Sequence, residues 1–429
     1  MKEHRTISTL QLTLLVGSQL IASNMISLPM ALTAVAGQDA WISFFYCIPY
    51  GIAIAFLMWR LVRWMPHKNI YDMANEVCGK WLGGALNAML TLYLAVDLIS
   101  QLRLFSDFFN SSILQRTPIE YIVLITMLLL IYLATGTMEH LARANVIFIV
   151  LFLAVYIMVP LYLINEIDLF RLQPVLANGI LPSIKSGGLV LGTFGDVIAI
   201  GAFLHHVSKP RDIYFSIKLG IICSAFMLTL WVLCIVSAVS PTLAPRLIYI
   251  GWILVQQIHM TDFLDRVDLF LISLYIPIII IKFAILYIAL LTGIASYTKN
   301  KKFDFINLLA GLLIAIVTVL AFNNTNEVSM VNNYGAMPIS LGTQIIFFGC
   351  LLVGIAIRKK KVVIPSDAKA GGYGKGIWVT LVCSGLAIGY GAILGKTNGL
   401  HGNISALLYV CFLILCVYFS IREYGKTLI

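Results

Sequence analysis

Of 429 residues, 60% are hydrophobic and only 11% are charged, and the mean hydropathy is +0.95, whereas soluble domains run about 45–50% apolar and about 25% charged. These proportions define an all-α polytopic membrane protein. The formal charge of +10 would suggest a nucleic-acid partner in a soluble chain, but here the Lys and Arg lie at the ends of apolar runs, so none is expected.

At the N-terminus Lys2 and Arg5, an apolar run and Ala34-Val35-Ala36 have the outline of a cleavable signal peptide. An h-region is about 7–15 apolar residues, and this run is longer and polar in its middle, so it reads as the first transmembrane helix. A span needs about 20 mostly apolar residues, which predicts twelve helices at 9–35, 40–64, 82–109, 118–135, 140–164, 186–206, 213–240, 263–296, 304–322, 337–357, 376–395 and 404–421. With odd-numbered helices leaving the cytoplasm, 21 of the 29 Lys and Arg fall in inside segments (Lys218 among them) and 5 in outside ones. Arg103, Arg266 and Lys282 lie in or at the ends of spans. That is the positive-inside bias, and it puts both termini in the cytoplasm.

The first helix carries Ser23, Asn24, Ser27 and Pro29 in its middle. Breaking a helix in hydrocarbon frees backbone groups that cost several kcal/mol unless satisfied, and small polar residues let a ligand, an ion or water satisfy them. Helix three holds Asp97, with Tyr93, Ser100 and Gln101 on the same face. Arg103 and Asp107, four residues apart near its outer end, read as a local interfacial pair. Helix six opens with a run of glycines through Gly192, Thr193 and Gly195 to Asp196. A loosened, ligand-facing backbone is one reading there; close packing of Gly188 and Gly192 against a neighbour is the other. His205-His206, ahead of Lys209-Pro210-Arg211, reads as a helix stop in a basic loop.

Helix eight holds Lys282 too deep to snorkel. An ionisable residue at mid-span costs about 2.5–3.5 kcal/mol and so seeks a cavity or a partner. Lys282 either pairs with one of the two aspartates to fix helix register or stands where a coupling cation sits in other carriers. Arg358-Lys359-Lys360-Lys361 opens a basic, Gly-containing cytosolic linker over 359–375, beside anionic lipid. It divides a ten-helix core, 1–358, from an appended two-helix hairpin, 376–429. Five helices is an odd number, so the sets 9–164 and 186–357 enter the membrane in opposite senses, the plan of an inverted 5+5 repeat. Eight cysteines lack CxxC or His partners at metal-ligand spacing, and no HExxH, GxSxG or Walker sequence is present. No metal, cofactor or catalytic residue is expected.

The stretches Ile7-Ser8-x-x-Gln11-Leu12 and Leu28-Pro29, and above all Ala36-Gly37-Gln38-Asp39-Ala40-Trp41-Ile42-Ser43, resemble the N-terminal signature of the spore germination permease family. These are the B subunits of nutrient germinant receptors in endospore-forming bacteria, a branch of the amino acid–polyamine–organocation superfamily. Weaker matches are Asp196 and Asp265-Arg266-Val267-Asp268, the latter similar to an Arg-x-Asp element. The resemblance covers about residues 5–358. It implies a LeuT-like core in the spore inner membrane or bacterial cell membrane. It further implies a small nutrient such as an amino acid bound between helices one, three, six and eight, and assembly with A-type and C-type receptor subunits. Two departures stand out: helices eleven and twelve are additional, and helix one has Ser23-Asn24 in place of a glycine-rich break. The expected function is nutrient sensing that triggers germination. The alternatives are an amino acid or amine permease coupled to protons or cations through Asp97, Asp196 and Lys282, and a scaffolding subunit with a vestigial site.

Overall fold

A computed structural model describes residues 7–207, 210–258, 267–298, 303–357, 373–394 and 399–428. The linker expected at 359–375, apart from its last three residues, and Asp265-Arg266 therefore lie outside the described residues.

The chain starts with a capping box. Ser8 Oγ accepts from Gln11 N at 3.2 Å while Ser8 N donates to Gln11 Oε1 at 2.9 Å, satisfying two otherwise orphaned amides of α1, Thr9–Asn24. Ile7 N donates to His206 O at 3.0 Å, tying this end to the middle of the chain. Met25, Ile26 and Ser27 break the helix, and α2, Leu28–Ala36, restarts with Pro29 in its first turn, where the missing N–H costs nothing. The break thus lies just beyond Ser23-Asn24, which remain helical. Gly37, at φ 58°, ends α2 in a conformation that favours glycine, and a 3-10 helix, Gly37–Phe45, leads to α3, Cys47–Trp64. Gly37 to Trp41, the core of the sequence signature, therefore opens a 3-10 helix that is buried from Asp39 onward. Helix three is longer than predicted: α4, Ile70–Ser112, turns at Gly79, φ 82°, and takes in Lys80. Then come α5, Ile119–Thr135, and α6, Met138–Tyr162.

The second half repeats the first's design with a difference. Helix α7, Leu181–Phe194, does not open into a coil but tightens into a 3-10 helix, Gly195–His206. There follow α8, Pro210–Val239; α9, Ile250–Gln256; α10, Val267–Ala295; and α11, Phe303–Leu320. A short α12, Thr325–Met330, passes through a π turn, Val331–Gly335, into α13, Ala336–Ile357. Helices α14, Tyr373–Leu394, and α15, Gly399–Leu428, close the chain. Among the described residues nine helical stretches are long and apolar enough to cross a membrane, and Thr9–Ala22, Ile119–Thr135 and Phe305–Leu320 are apolar but shorter. These stretches overlap the predicted windows, with Leu28–Trp64 running from the first into the second. The protein is an integral, multi-pass membrane protein, with large apolar side chains such as Leu92, Ile125, Ile147, Leu313 and Ile345 exposed on its flanks.

Helices α14 and α15 are not a loose appendage. Tyr409 of α15 packs its ring 5.5 Å from Trp41 and 6.1 Å from Phe45, so the hairpin covers the 3-10 segment that carries the sequence signature. Lys218 of α8 pairs with Glu423 of α15 at 2.5 Å, with 3% and 5% of their side chains exposed. Lys218, counted from sequence as a cytoplasmic loop charge, is instead a buried helix-to-helix contact.

Candidate functional site

Three backbone carbonyls released around the break of α1 find donors on three other elements. Tyr275 of α10 donates to Ala22 O at 2.6 Å, the Trp231 indole of α8 to Met25 O at 2.9 Å, and Gly251 N of α9 to Ile26 O at 3.5 Å. Gly251 is required there, because a Cβ would strike Met25 O. The break is therefore held open at little cost, since buried carbonyls without donors would each forfeit about 1–3 kcal/mol.

Beside it lies a cavity of about 30 Å³, room for a water or two or a small head group. Ala22, Ile26 and Ser27 of the break form one wall, Gln101 and Phe105 of α4 a second, and Tyr275 and Phe283 of α10 a third; Asn332 of the π turn closes it. Behind Gln101 sits the charged network. Lys282 Nζ meets Asp196 Oδ2 at 2.9 Å, with 0% and 2% of their side chains exposed. Gln101 Nε2 donates to Asp97 Oδ1 at 2.6 Å and to Asp196 Oδ2 at 3.0 Å, and Tyr93 OH to Asp196 Oδ1 at 3.4 Å. The polar stripe read from α4 is therefore real, and Lys282 pairs with Asp196 rather than Asp97. Asp97 Oδ2 is buried without a hydrogen-bond donor.

The other sequence candidates separate. Ser27 lines the cavity and donates to Asn333 Oδ1 at 3.4 Å. Asn24 ends α1, donates to Leu20 O at 2.7 Å, and does not line the cavity; its Oδ1 is buried without a donor. Ser23 lies within α1, and its side chain is outside the described set. Thr193 bonds its own helix, donating to Val190 O at 3.1 Å. Gly192 and Gly195 face α13: a Cβ on the first would strike the Met337 backbone, and on the second Ser340 Oγ. The Gly195 carbonyl accepts from Gln344 Nε2 at 2.9 Å. At these glycines the geometry is close packing against α13: Gly192 abuts the Met337 backbone, and the Gly195 carbonyl is taken by Gln344.

Sequence reasoning missed Trp231, Tyr275 and Asn332; the signal available for the last was an Asn-Asn pair just ahead of an apolar run. Arg103 and Asp107, 3.2 Å apart, are buried rather than interfacial, and Arg103 Nη1 also donates to Thr318 O at 3.3 Å and Val319 O at 2.8 Å. The rings of His205 and His206 lie 4.0 Å apart at the end of the 3-10 helix. Among the described residues no group of three His, Cys, Asp or Glu is placed to hold a metal.

A broken first helix with buried charges behind it and a cavity beside it defines a transporter-fold membrane protein. Solved structures agree. Mhp1, a nucleobase-cation-symport-1 family transporter in a closed conformation with bromovinylhydantoin bound, matches with a TM-score of 0.58 over 99% of this chain and 93% of that one, at 11% identity. A Na+-coupled sialic acid symporter in a substrate-bound outward-open state matches at 0.51 over 98% and 93%, with 13% identity. These likenesses show a LeuT-like fold.

The family model described as spore germination protein, the spore permease family, matches residues 6–328, and the chain belongs to that family. Among proteins of Bacillus subtilis (strain 168), YfkT is 29% identical over 257 residues, 60% of this chain and 70% of YfkT. Spore germination protein KB is 25% identical over 336 residues, 76% of this chain and 89% of KB. Spore germination protein YndE is 21% identical over 352 residues, 78% and 95% of the two chains.

Proposed function

We propose that this chain is the integral-membrane subunit of a spore nutrient germinant receptor. It binds a small nutrient, an amino acid, at the broken helix and acts with A-type and C-type subunits in the spore inner membrane to trigger germination. It works by binding and conformational change, not by catalysis. The observation that carries the reading is the cavity at the α1 break, in a member of the spore germination family: its Gln101 wall is bonded to Asp196, and Asp196 to Lys282. A nutrient entering there touches α1, α4, α10 and the π turn before α13 together. A ligand can shift a conformational equilibrium only through contacts that differ between the two states, and a cavity at the junction of four elements supplies them. Deleting the gene and screening spores across amino acids, sugars and nucleosides is the test. Loss of the response to one nutrient class is expected, and an unchanged response to all of them would remove this reading.

A second reading, an active amino acid or amine permease coupled to protons or cations, is favoured by Asp97, Asp196 and Lys282 lying together in the core. Uptake of labelled nutrient into vesicles holding the chain alone, dependent on a proton or cation gradient, would distinguish transport from sensing.

A further inference from the structure

On the flank of the molecule α4 and α13 form the walls of a groove of about 550 Å³. A reversal of the chain builds one wall. Gly79, at φ 82°, turns residues 70–78 back along the helix that follows it. Gly83 then lies so close that a Cβ would strike Ala74 O, and Asn87 Nδ2 donates to Tyr71 O at 3.1 Å. Val77 and Cys78 before the turn and Leu82 after it line the groove, with Ile346, Gly349 and Val353 of α13 opposite. The walls meet at the base, where a Cβ on Gly354 would strike Val77 Cγ1 and Cys78 Sγ donates to Cys350 O at 3.7 Å. Over Gly349 they stand apart: among the described residues no neighbouring atom lies within 4 Å of where its Cβ would be.

The side chains of these walls are aliphatic or thiol, and Leu82, Ile346 and Val353 are exposed, so in a membrane the groove opens onto hydrocarbon. One end of it is charged. Between Cys78 and Leu82 the turn carries Lys80, exposed and without an ion-pair partner among the described residues. Next to it stands Trp81, 92% exposed, an amphipathic ring of the kind that sits at headgroup level. In the sequence, Arg358 to Lys361 come directly after Ile357, the last residue of α13 and part of the groove wall. This is the end that the charge bias assigns to the cytoplasmic surface, where the leaflet is anionic. A groove that narrows to touching walls suits an extended hydrocarbon chain rather than a helix, which with its side chains is about 10–12 Å across.

We infer that this groove is a binding site for one anionic phospholipid: an acyl chain lies between α4 and α13, and Lys80 at the turn meets the phosphate. Lysine is a compact point charge with three donors, which serves a phosphate at an exposed turn. An acyl chain gives up no hydrogen bond in such walls, and it supplies the dispersion contacts that the gap over Gly349 would otherwise forfeit. Seated there, the lipid backs α13, whose opposite face sets Ser340 and Gln344 against Gly195 of helix six. The groove shares no lining residue with the cavity at the α1 break, so the lipid site stands whether or not that cavity takes a nutrient.

The test is native mass spectrometry of the purified full-length protein titrated with dioleoylphosphatidylglycerol and dioleoylphosphatidylcholine, which carry the same chains. The anionic lipid is expected to bind about fivefold tighter, the weight of one interfacial lysine. Lys80→Gln is expected to erase that preference and leave the affinity for phosphatidylcholine as it was. Gly349→Phe, which puts a ring into the gap, is expected to weaken both lipids tenfold or more while its unfolding temperature without added lipid matches the wild type. Equal binding of the two lipids to the wild type, a preference that survives Lys80→Gln, or unchanged affinity in Gly349→Phe would overturn the inference. Should a variant not fold, phosphatidylglycerol with a diazirine midway along one chain decides on the wild-type protein. Its label is expected on α13 between Ile346 and Val353 and should be displaced by unlabelled phosphatidylglycerol; labelling only elsewhere, or label that is not displaced, would overturn the site. In cell membranes, a benzoylphenylalanine in place of Gly349 is expected to capture lipid, and capture of a protein chain instead would give the groove to a partner's helix and defeat the lipid site.

Discussion

Lys282 on α10 and Asp196 on the 3-10 half of helix six meet at 2.9 Å with neither side chain open to solvent. Removing one partner of such a pair leaves the other charge buried and typically costs about 3–5 kcal/mol, whereas replacing both by apolar groups is often neutral. Lys282→Met alone should therefore lower protein level and abolish the nutrient response. Lys282→Met with Asp196→Leu should recover the level, measured by immunoblot of spore membranes, without recovering germination. A double variant that germinates normally would make the pair a matter of packing only.

Gly195 sits where any Cβ would run into the Ser340 hydroxyl. Gly195→Ala should destabilise by about 1–3 kcal/mol, the range for overpacking, and Ser340→Gly in the same chain should restore part of it, since the new Cβ would still press on Gln344 Nε2. Gly192→Ala faces the Met337 backbone instead, which no side-chain change can move aside, so no single substitution on α13 should rescue it. Thermal unfolding of the purified variants checks both, and rescue of Gly192→Ala by Met337→Ala would contradict the contact.

The contrast between the two interrupted helices shows where sequence stopped being informative. Polar residues and Pro29 in an apolar run marked the α1 break to within a few residues, because both signals act on the local backbone. Asp97, Asp196 and Lys282 announced themselves through the cost of charge in a span. Which aspartate takes the lysine depends on how α4, α10 and the 3-10 segment cross, and no spacing along one chain encodes that. Glycines in a span serve a ligand or a neighbour equally well until the neighbour is seen, and here it is α13. Ser8 and Gln11 belong to the family signature for a local reason, the capping box. Asp39 serves a distant one: its Oδ1 accepts from Leu176 N at 2.9 Å, beside Gln38, whose Nε2 donates to Pro174 O at 2.5 Å.

The Lys218–Glu423 pair makes the terminal hairpin part of the folded core. Its Lys218 ammonium also lies 4.8 Å from the Tyr214 ring centre and 4.9 Å from that of Phe215, so Glu423→Gln would leave a cation boxed in by aromatic rings without its counter-charge. The expected loss is about 3–5 kcal/mol, seen as lower unfolding temperature and increased proteolysis between α13 and α14. Lys218→Met with Glu423→Leu should be close to wild type. If Glu423→Gln alone proves neutral, the hairpin is held by its apolar contacts with Trp41 and Phe45 and not by charge.

Arg103 gives a sharper discrimination, because its local and distant partners demand different chemistry. An exposed pair four residues apart on a helix is worth about 0.3–0.5 kcal/mol and would be served almost as well by lysine. In this fold the guanidinium divides its donors, Nε to Asp107 on its own helix and Nη1 to the carbonyls of Thr318 and Val319 at the end of α11. Those carbonyls belong to the last turn of α11, where no intrahelical donor remains, so Arg103 acts as a cap supplied by another helix. Lysine keeps the charge but lacks the planar fork needed to reach both sites. Arg103→Lys should therefore cost about 1–3 kcal/mol of unfolding free energy, several times the local-pair value, and should raise hydrogen exchange at the end of α11 specifically. A loss below about 0.5 kcal/mol with unchanged exchange there would return Arg103 and Asp107 to a local pair.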